Sequence, residues 1–263
     1  MRRLAESGSH IRALIRDPEK KSGIRGVDFA IGDYQDVNAV RHAMKDVSTL
    51  LLVSGHDEPG TRARGHTNVI RAAAAAGVQR IVYTSFQGAS DTSFFPYSRD
   101  HYITEQALVT SGIPFVILRS SLYYDLLLSA IVDGAIKAPA GNGRAALVSW
   151  TDVADAAYCA LTGRVPSGAI LDVTGPENMS LAEFAERVSS ITHRAIRYQP
   201  EDEGSARKNR AELGLPPWIV DCAIGSYLAL AAGELGAVAD TVLALTEHPP
   251  LTLEDYLRRD PNP

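Results

Sequence analysis

Five short, nearly continuous apolar runs recur along the first 120 residues: "HIRALIR", "GVDFAIG", "VSTLLLV", "QRIVYTS" and "PFVILRS". Between them stand longer segments with apolar residues at helical spacing, such as "DVNAVRHAMKDV" and "HTNVIRAAAAAGV". Runs too apolar to alternate between a wet and a dry face belong to strands covered on both sides, and strand–helix alternation supplies that cover. The pattern therefore predicts an α/β fold, a doubly wound parallel sheet of Rossmann-like type. Helix signals agree with it. "SLAE" at Ser180 to Glu183 reads as a capping box, and Thr151 as the cap of the helix carrying "DVADAAYCAL", with Asp152 and Asp155 near its positive end. The five alanines from Ala72 to Ala76 read as good helix former that can lie close to a sheet.

After about residue 120 the pattern changes. "GAIKAPAGNGRAALVSW" reads as a turn-rich excursion, and "EDEGSARKNRAELGLPPWIVDCAIGSYLALAAGEL" as helices. The expected organisation is a core over residues 1–120 and a smaller substrate-side lobe over 121–263 that returns some elements to the core, within one compact unit.

The beginning of the chain raises a question. In a doubly wound nucleotide fold the first strand leads through a Gly-rich turn into the first helix, whose N-terminus holds the pyrophosphate. Here Met1 to Ser7 already read as helix, "HIRALIR" follows as a strand, and no G-x-G-x-x-G or G-x-x-G-x-x-G occurs. Two outcomes are expected. Either roughly 15 to 20 residues holding the first strand and its turn are missing upstream, which is the favoured reading, or "HIRALIR" and "VSTLLLV" pair directly and the phosphate site is lost.

Composition narrows the function classes. The 263 residues are 45% hydrophobic, enough for a large core, and the net charge is −5 with no Lys/Arg block. Such a mixture gives no electrostatic footprint for nucleic acid or an anionic membrane, and a small molecule is the expected partner. Neither a membrane-span-length apolar run nor a signal-peptide h-region is present. Cys159 and Cys222 lie far apart in apolar helical patterns, which predicts buried thiols and a cytoplasmic protein without a disulfide or metal framework. A homodimer is left open.

Ligands of doubly wound folds bind beyond the carboxyl ends of the strands. Arg16 closes "HIRALIR", where an acidic residue would take the adenosine 2′-hydroxyl of NAD and an arginine would pair with the 2′-phosphate of NADP; NADP(H) is therefore expected, though Asp17 follows at once. Ser54 and Gly55 close "VSTLLLV" at the same edge, and small residues there admit a cofactor. "TSFQG" at Thr84 to Gly88 closes the strand of "QRIVYTS", which puts Thr84 and Ser85 at the same edge as cofactor-binding candidates.

The ordered set "RALIRDPEK", "HTNVIRAAAAAGVQRIVYTS", "HYITEQAL", "SGIPFVILRSSLYYD", "GNGRAALVSWTDVADAA", "LDVTGPENMSLAEFA" and "LTEHPPLTLEDYL" resembles atypical short-chain dehydrogenases of the NmrA-like group. It is most similar to their NADPH:quinone oxidoreductase branch, and the likeness covers nearly the whole chain. The resemblance implies an NADPH-dependent reductase delivering hydride to a quinone or similar electron-poor small molecule, with an NADP-binding redox sensor without turnover as the alternative. It implies a catalytic or substrate-lining role for Ser85. Ordinary members of the superfamily use Tyr-x-x-x-Lys; aligned from Glu105, Tyr97 takes the Tyr position and His101 the Lys position, so His101 is implied to hold the ribose or nicotinamide end. Ser120, Ser121 and Tyr123, in "RSSLYYD", are implied to lie along nicotinamide and substrate.

Overall fold

The computed structural model describes residues 1–21 and 23–259. Its elements run α1 (Arg2–Glu6), β1 (Ile11–Ile15), β2 (Val27–Ile31), α2 (Val37–Ala43), β3 (Thr49–Leu52), α3 (Thr61–Ala76), β4 (Arg80–Phe86), α4 (Pro96–Thr110) and β5 (Phe115–Ser120). There follow α5 (Tyr124–Ser129), β6 (Ala135–Ala138), β7 (Arg144–Ala145), α6 (Trp150–Leu161), β8 (Ala169–Val173), β9 (Met179–Ser180), α7 (Leu181–Thr192), β10 (Arg197–Pro200), α8 (Glu203–Ala211), α9 (Pro217–Ala231), α10 (Thr241–Thr246) and α11 (Leu253–Arg259). The five apolar runs are β1 to β5, in that order.

The central sheet is parallel, in the order β3-β4-β5-β8, while β1 and β2 form a separate parallel pair with Ile11 opposite Val27 and Ile15 opposite Ile31. These two orders match the two sides of the doubly wound scheme around its first-strand position. Direct pairing of β1 with β3, one of the two outcomes expected from the sequence, does not occur among the described residues.

By packing, the chain falls into two compact units. One comprises Met1–Thr84, Ile103–Ile117 and Ala157–Ala169, and the other Ser85–Tyr102, Leu118–Ala156 and the chain from Ile170 on. In the first, Val40, Leu52, Val69, Ile70, Ile81, Tyr83, Leu108 and Ile117 form a buried cluster. The alanine run serves it with Ala72 and Ala73 alone, the next three alanines facing water. At the end of β2 a methyl group on Gly32 would stand 2.6 Å from the Ala39 Cβ, so only glycine lets α2 come this close. Asp36 caps α2 by accepting the N–H groups of Asn38 and Ala39.

In the second unit Phe86, Leu122, Tyr124, Leu127, Ile136, Leu147, Phe184, Leu230 and Leu253 form the core. The capping box at Ser180 and Glu183 is present at the start of α7. Two local expectations need correction. The stretch read as a turn-rich excursion contains β6, paired parallel with β10, and β7, paired antiparallel with β9. Its glycines and prolines mark the turns, but Ala135, Ile136 and Ala138 are buried and make a short strand worthwhile. Thr151 does not cap α6. Ser149 does so, accepting the Asp152 N–H at 3.0 Å and donating its hydroxyl to Asp152 Oδ2 at 2.9 Å, because the helix starts two residues earlier than the pattern suggested. Both cysteines are buried and unbridged. Among the described residues no helix is long and apolar enough to cross a membrane.

Candidate functional site

In the first unit the expected residues at the strand ends are tied to one another and to partners that the sequence did not single out. Thr84 Oγ1 accepts the Ser54 N–H at 2.9 Å, and His66 Nε2 accepts the Gly55 N–H at 3.0 Å. Because Nε2 accepts, the ring proton sits on Nδ1, which donates to Thr104 Oγ1 at 3.0 Å. His66 is fully buried, and desolvation, reinforced by the positive charge of Arg62, holds its pKa down at about 3. The imidazole is neutral at every physiological pH. Arg62 donates Nε–H to the Gly55 carbonyl at 2.6 Å, so both backbone polar groups of Gly55 are held by α3. The Ser54 N–H and the Gly55 N–H and carbonyl are thus all engaged, and Thr84 Oγ1 in turn donates to Ser54 Oγ at 3.5 Å.

Arg16 stands beyond the end of β1 with its side chain 58% exposed. It donates to Asp57 Oδ1 at 2.9 Å and lies 3.6 Å from Asp33 Oδ2. Tyr34, next to Asp33, donates its hydroxyl to the Val53 carbonyl at 3.2 Å and packs edge-on against His66. Burial pushes the Tyr34 phenol up to about 12. A methyl group on Gly65 would stand 2.6 Å from Gln35 Nε2 and 3.0 Å from the Tyr34 Cβ, so this glycine lets α3 lie against the Tyr34–Gln35 turn.

In the second unit a hydrogen-bond chain leaves the end of β5. Tyr123 donates to Ser120 Oγ at 3.1 Å, and Ser120 donates to the Ser85 carbonyl at 3.3 Å. Burial raises the Tyr123 pKa, and its proton is already committed, so this phenol is a weak acid. Ser121 is fully buried and gives its N–H to the Val173 carbonyl at 3.2 Å, while its hydroxyl meets no hydrogen-bond partner among the described residues. Tyr97 and His101 lie in α4 four residues apart, both buried, Tyr97 in the first turn after Pro96. The His101 ring stacks on Phe86 with centroids 6.1 Å apart, Phe86 meets Phe95, and Phe95 meets Tyr97 at 5.6 Å.

Sequence reasoning missed His66, Arg62, the carboxylates Asp33 and Asp57, and Trp150, whose ring lies on Tyr123. A histidine and an arginine in a helical pattern look like solvated residues, and nothing local marks the strand end they reach. The two acids were legible only as types, since their convergence on Arg16 depends on how three loops close.

Residues 1–163 match a protein family described as NAD(P)H-binding. Quinone oxidoreductase 2 of Escherichia coli is 32% identical over 94% of this chain and 88% of its own length. An NAD(P)H azoreductase of Xenophilus azovorans is 27% identical over 98% of this chain and 92% of its own. Among solved structures, the E. coli NADPH-dependent quinone oxidoreductase complexed with NADPH superposes with a TM-score of 0.88 at 31% identity, covering 97% of this chain and 91% of that one.

Proposed function

The chain belongs to the NAD(P)H-binding family, and from that premise we propose that it passes hydride from NADPH to a quinone or a similarly electron-poor aromatic. It is an NAD(P)H-dependent oxidoreductase. NADPH, when bound, would supply the hydride, two electrons with one proton, that takes a quinone to the anion of the hydroquinone, and solvent would supply the remaining proton.

The observation carrying the quinone reading is the residue at position 101. Where proton-donating relatives place lysine to acidify a tyrosine four residues earlier, this chain has His101, buried in α4. The phenol of Tyr123 is no substitute, since burial raises its pKa. An acceptor that takes hydride to a resonance-stabilised phenolate needs little acid catalysis and suits such a site. Reduction of a simple aldehyde or ketone, which leaves a strongly basic alkoxide, does not.

The donor set suits the cofactor. Arg16 is the group for a 2′-phosphate, and the Ser54 hydroxyl, which accepts from Thr84, can still donate at the neighbouring strand end. Taken by itself, the second unit has in Ser121 a buried hydroxyl without a partner among the described residues, which a ligand hydroxyl or carboxamide group can satisfy. Ser85, Ser120 and Tyr123 order the turn beside it, and Tyr97 and His101 lie buried on α4. Turnover is favoured over a binding-only sensor because the relatives named above are reductases. The test is NADPH oxidation followed with and without a quinone under anaerobic conditions, the uncatalysed rate subtracted. Quinone-dependent, saturable oxidation supports the reductase; tight NADPH binding with no oxidation would leave the regulator.

A further inference from the structure

The Tyr123 and Trp150 rings lie 3.7 Å apart between centroids and within 5° of parallel. They meet because the chain after β5 runs beside the chain before α6. Tyr123 bridges Val148 in parallel, the Tyr124 N–H reaches the Val148 carbonyl at 3.1 Å, and the Val148 N–H reaches the Leu122 carbonyl at 2.9 Å. Both sides are held from below. Tyr123 is fastened through its hydroxyl to Ser120, and Trp150 opens α6 beside the Ser149 cap, whose partner Asp152 also accepts the Leu251 N–H at 2.9 Å.

One face of the indole is thus covered by a phenol, yet the residue remains 51% exposed. A large aromatic normally turns as much of its surface inward as packing allows. Here the ring is instead held flat on a shelf at the carboxyl end of β5, the edge where ligands of this fold bind. Two features say what would cover it. Among the described residues no cation stacks on the half-exposed indole, whose electron-rich π-system suits a flat, electron-poor ring. Beneath it the Tyr123–Ser120–Ser85 chain fixes the shelf against tilting, which preserves that selection.

We propose that Trp150, supported by Tyr123, is the stacking surface for the acceptor and makes the enzyme prefer fused-ring quinones to single-ring ones. This rests on the quinone reductase reading above. The electron-poor acceptor stacks on the electron-rich indole, and a second fused ring enlarges the overlap. Nothing covalent happens at the indole; it sets the acceptor's affinity and orientation.

Steady-state kinetics of the full chain with NADPH and either 1,4-benzoquinone or 2-methyl-1,4-naphthoquinone test it. Trp150→Ala should raise the KM for the naphthoquinone by about tenfold, the scale of one aromatic stacking contact, with a smaller change for benzoquinone. The KM for NADPH should stay within about twofold, and Trp150→Phe should restore part of the loss. A naphthoquinone KM unchanged in Trp150→Ala overturns the proposal while leaving the reductase reading intact. So does a rise in the NADPH KM equal to that for the acceptor, which would assign the shelf to the nicotinamide. If the wild type reduces no quinone, the reductase reading fails, and Trp150 is then tested by fluorescence in Trp218→Phe, where it is the remaining tryptophan. Saturable quenching by the naphthoquinone supports the stacking surface, and quenching that rises linearly without saturation overturns it.

Discussion

His66 Nε2 accepts the Gly55 N–H at 3.0 Å while its Nδ1–H reaches Thr104 at 3.0 Å, so one buried imidazole joins α3, α4 and the turn after β3. The first contact requires the neutral ring, because a protonated Nε2 could not accept the Gly55 N–H. Its folded pKa of about 3 lies below the 6.5 of an unfolded histidine, so between these values the unfolded chain binds a proton that the folded chain refuses. Stability must fall as pH drops through 6.5 and continue to fall toward 3, by up to about 1.4 kcal/mol per pH unit from this group. Denaturant unfolding of wild type and His66→Gln across that interval checks it. The variant should be less stable at neutral pH and should have the shallower acid dependence; parallel curves would show that His66 titrates normally.

Arg16 between Asp33 and Asp57 predicts cofactor choice. Arg16→Ala should weaken NADPH binding by about 1.5 to 3 kcal/mol, the scale of a hydrogen bond to a charged group, and leave NADH nearly unchanged. Asp33→Asn should move the preference the other way, toward NADPH. It removes a negative charge 3.6 Å from the guanidinium and keeps an oxygen to accept the Gln35 N–H. Calorimetric titration with both nucleotides decides this, and equal losses of NADPH and NADH in Arg16→Ala would remove the arginine from the role.

For His101 the expectation is positioning of the cofactor without proton donation. His101→Ala should raise the NADPH KM or lower kcat by less than about a hundredfold, short of what a general acid contributes, and leave the pH profile's shape intact. A larger fall in kcat accompanied by the loss of one limb of that profile would make His101 an acid.

The cap of α6 yields a stability comparison. Ser149→Ala should cost about 0.5 to 2 kcal/mol, because the Asp152 N–H and carboxylate both lose a partner. Thr151→Ala, inside the helix, should stay within about 0.5 kcal/mol. Thermal unfolding of the two variants separates them.

The strands β1 to β5 and the helices α2, α3 and α7 were legible in the sequence because their signals are local. A strand buried on both faces must be apolar throughout, a helix on a sheet must repeat its apolar residues at the helical period, and the "SLAE" box completes its bonds within four residues. The short β6 and β7 were not legible, since a few residues carry too little periodicity to outweigh the glycines and prolines around them. The site divides the same way. Which residues stand at a strand end follows from where the apolar run stops, and Arg16 and Ser54 could be read off on that basis, whereas β4 runs on past Thr84 to Phe86 and Ser120 came from the family resemblance. Which groups meet there is set by how distant segments close. Gly55 finds His66 because α3 turns back beneath β3, Arg16 finds Asp57 41 residues away, and Tyr123 finds Trp150 because the turn after β5 runs beside the approach to α6. Partners so far apart in the chain leave no periodic trace in it, so only tertiary packing decides them.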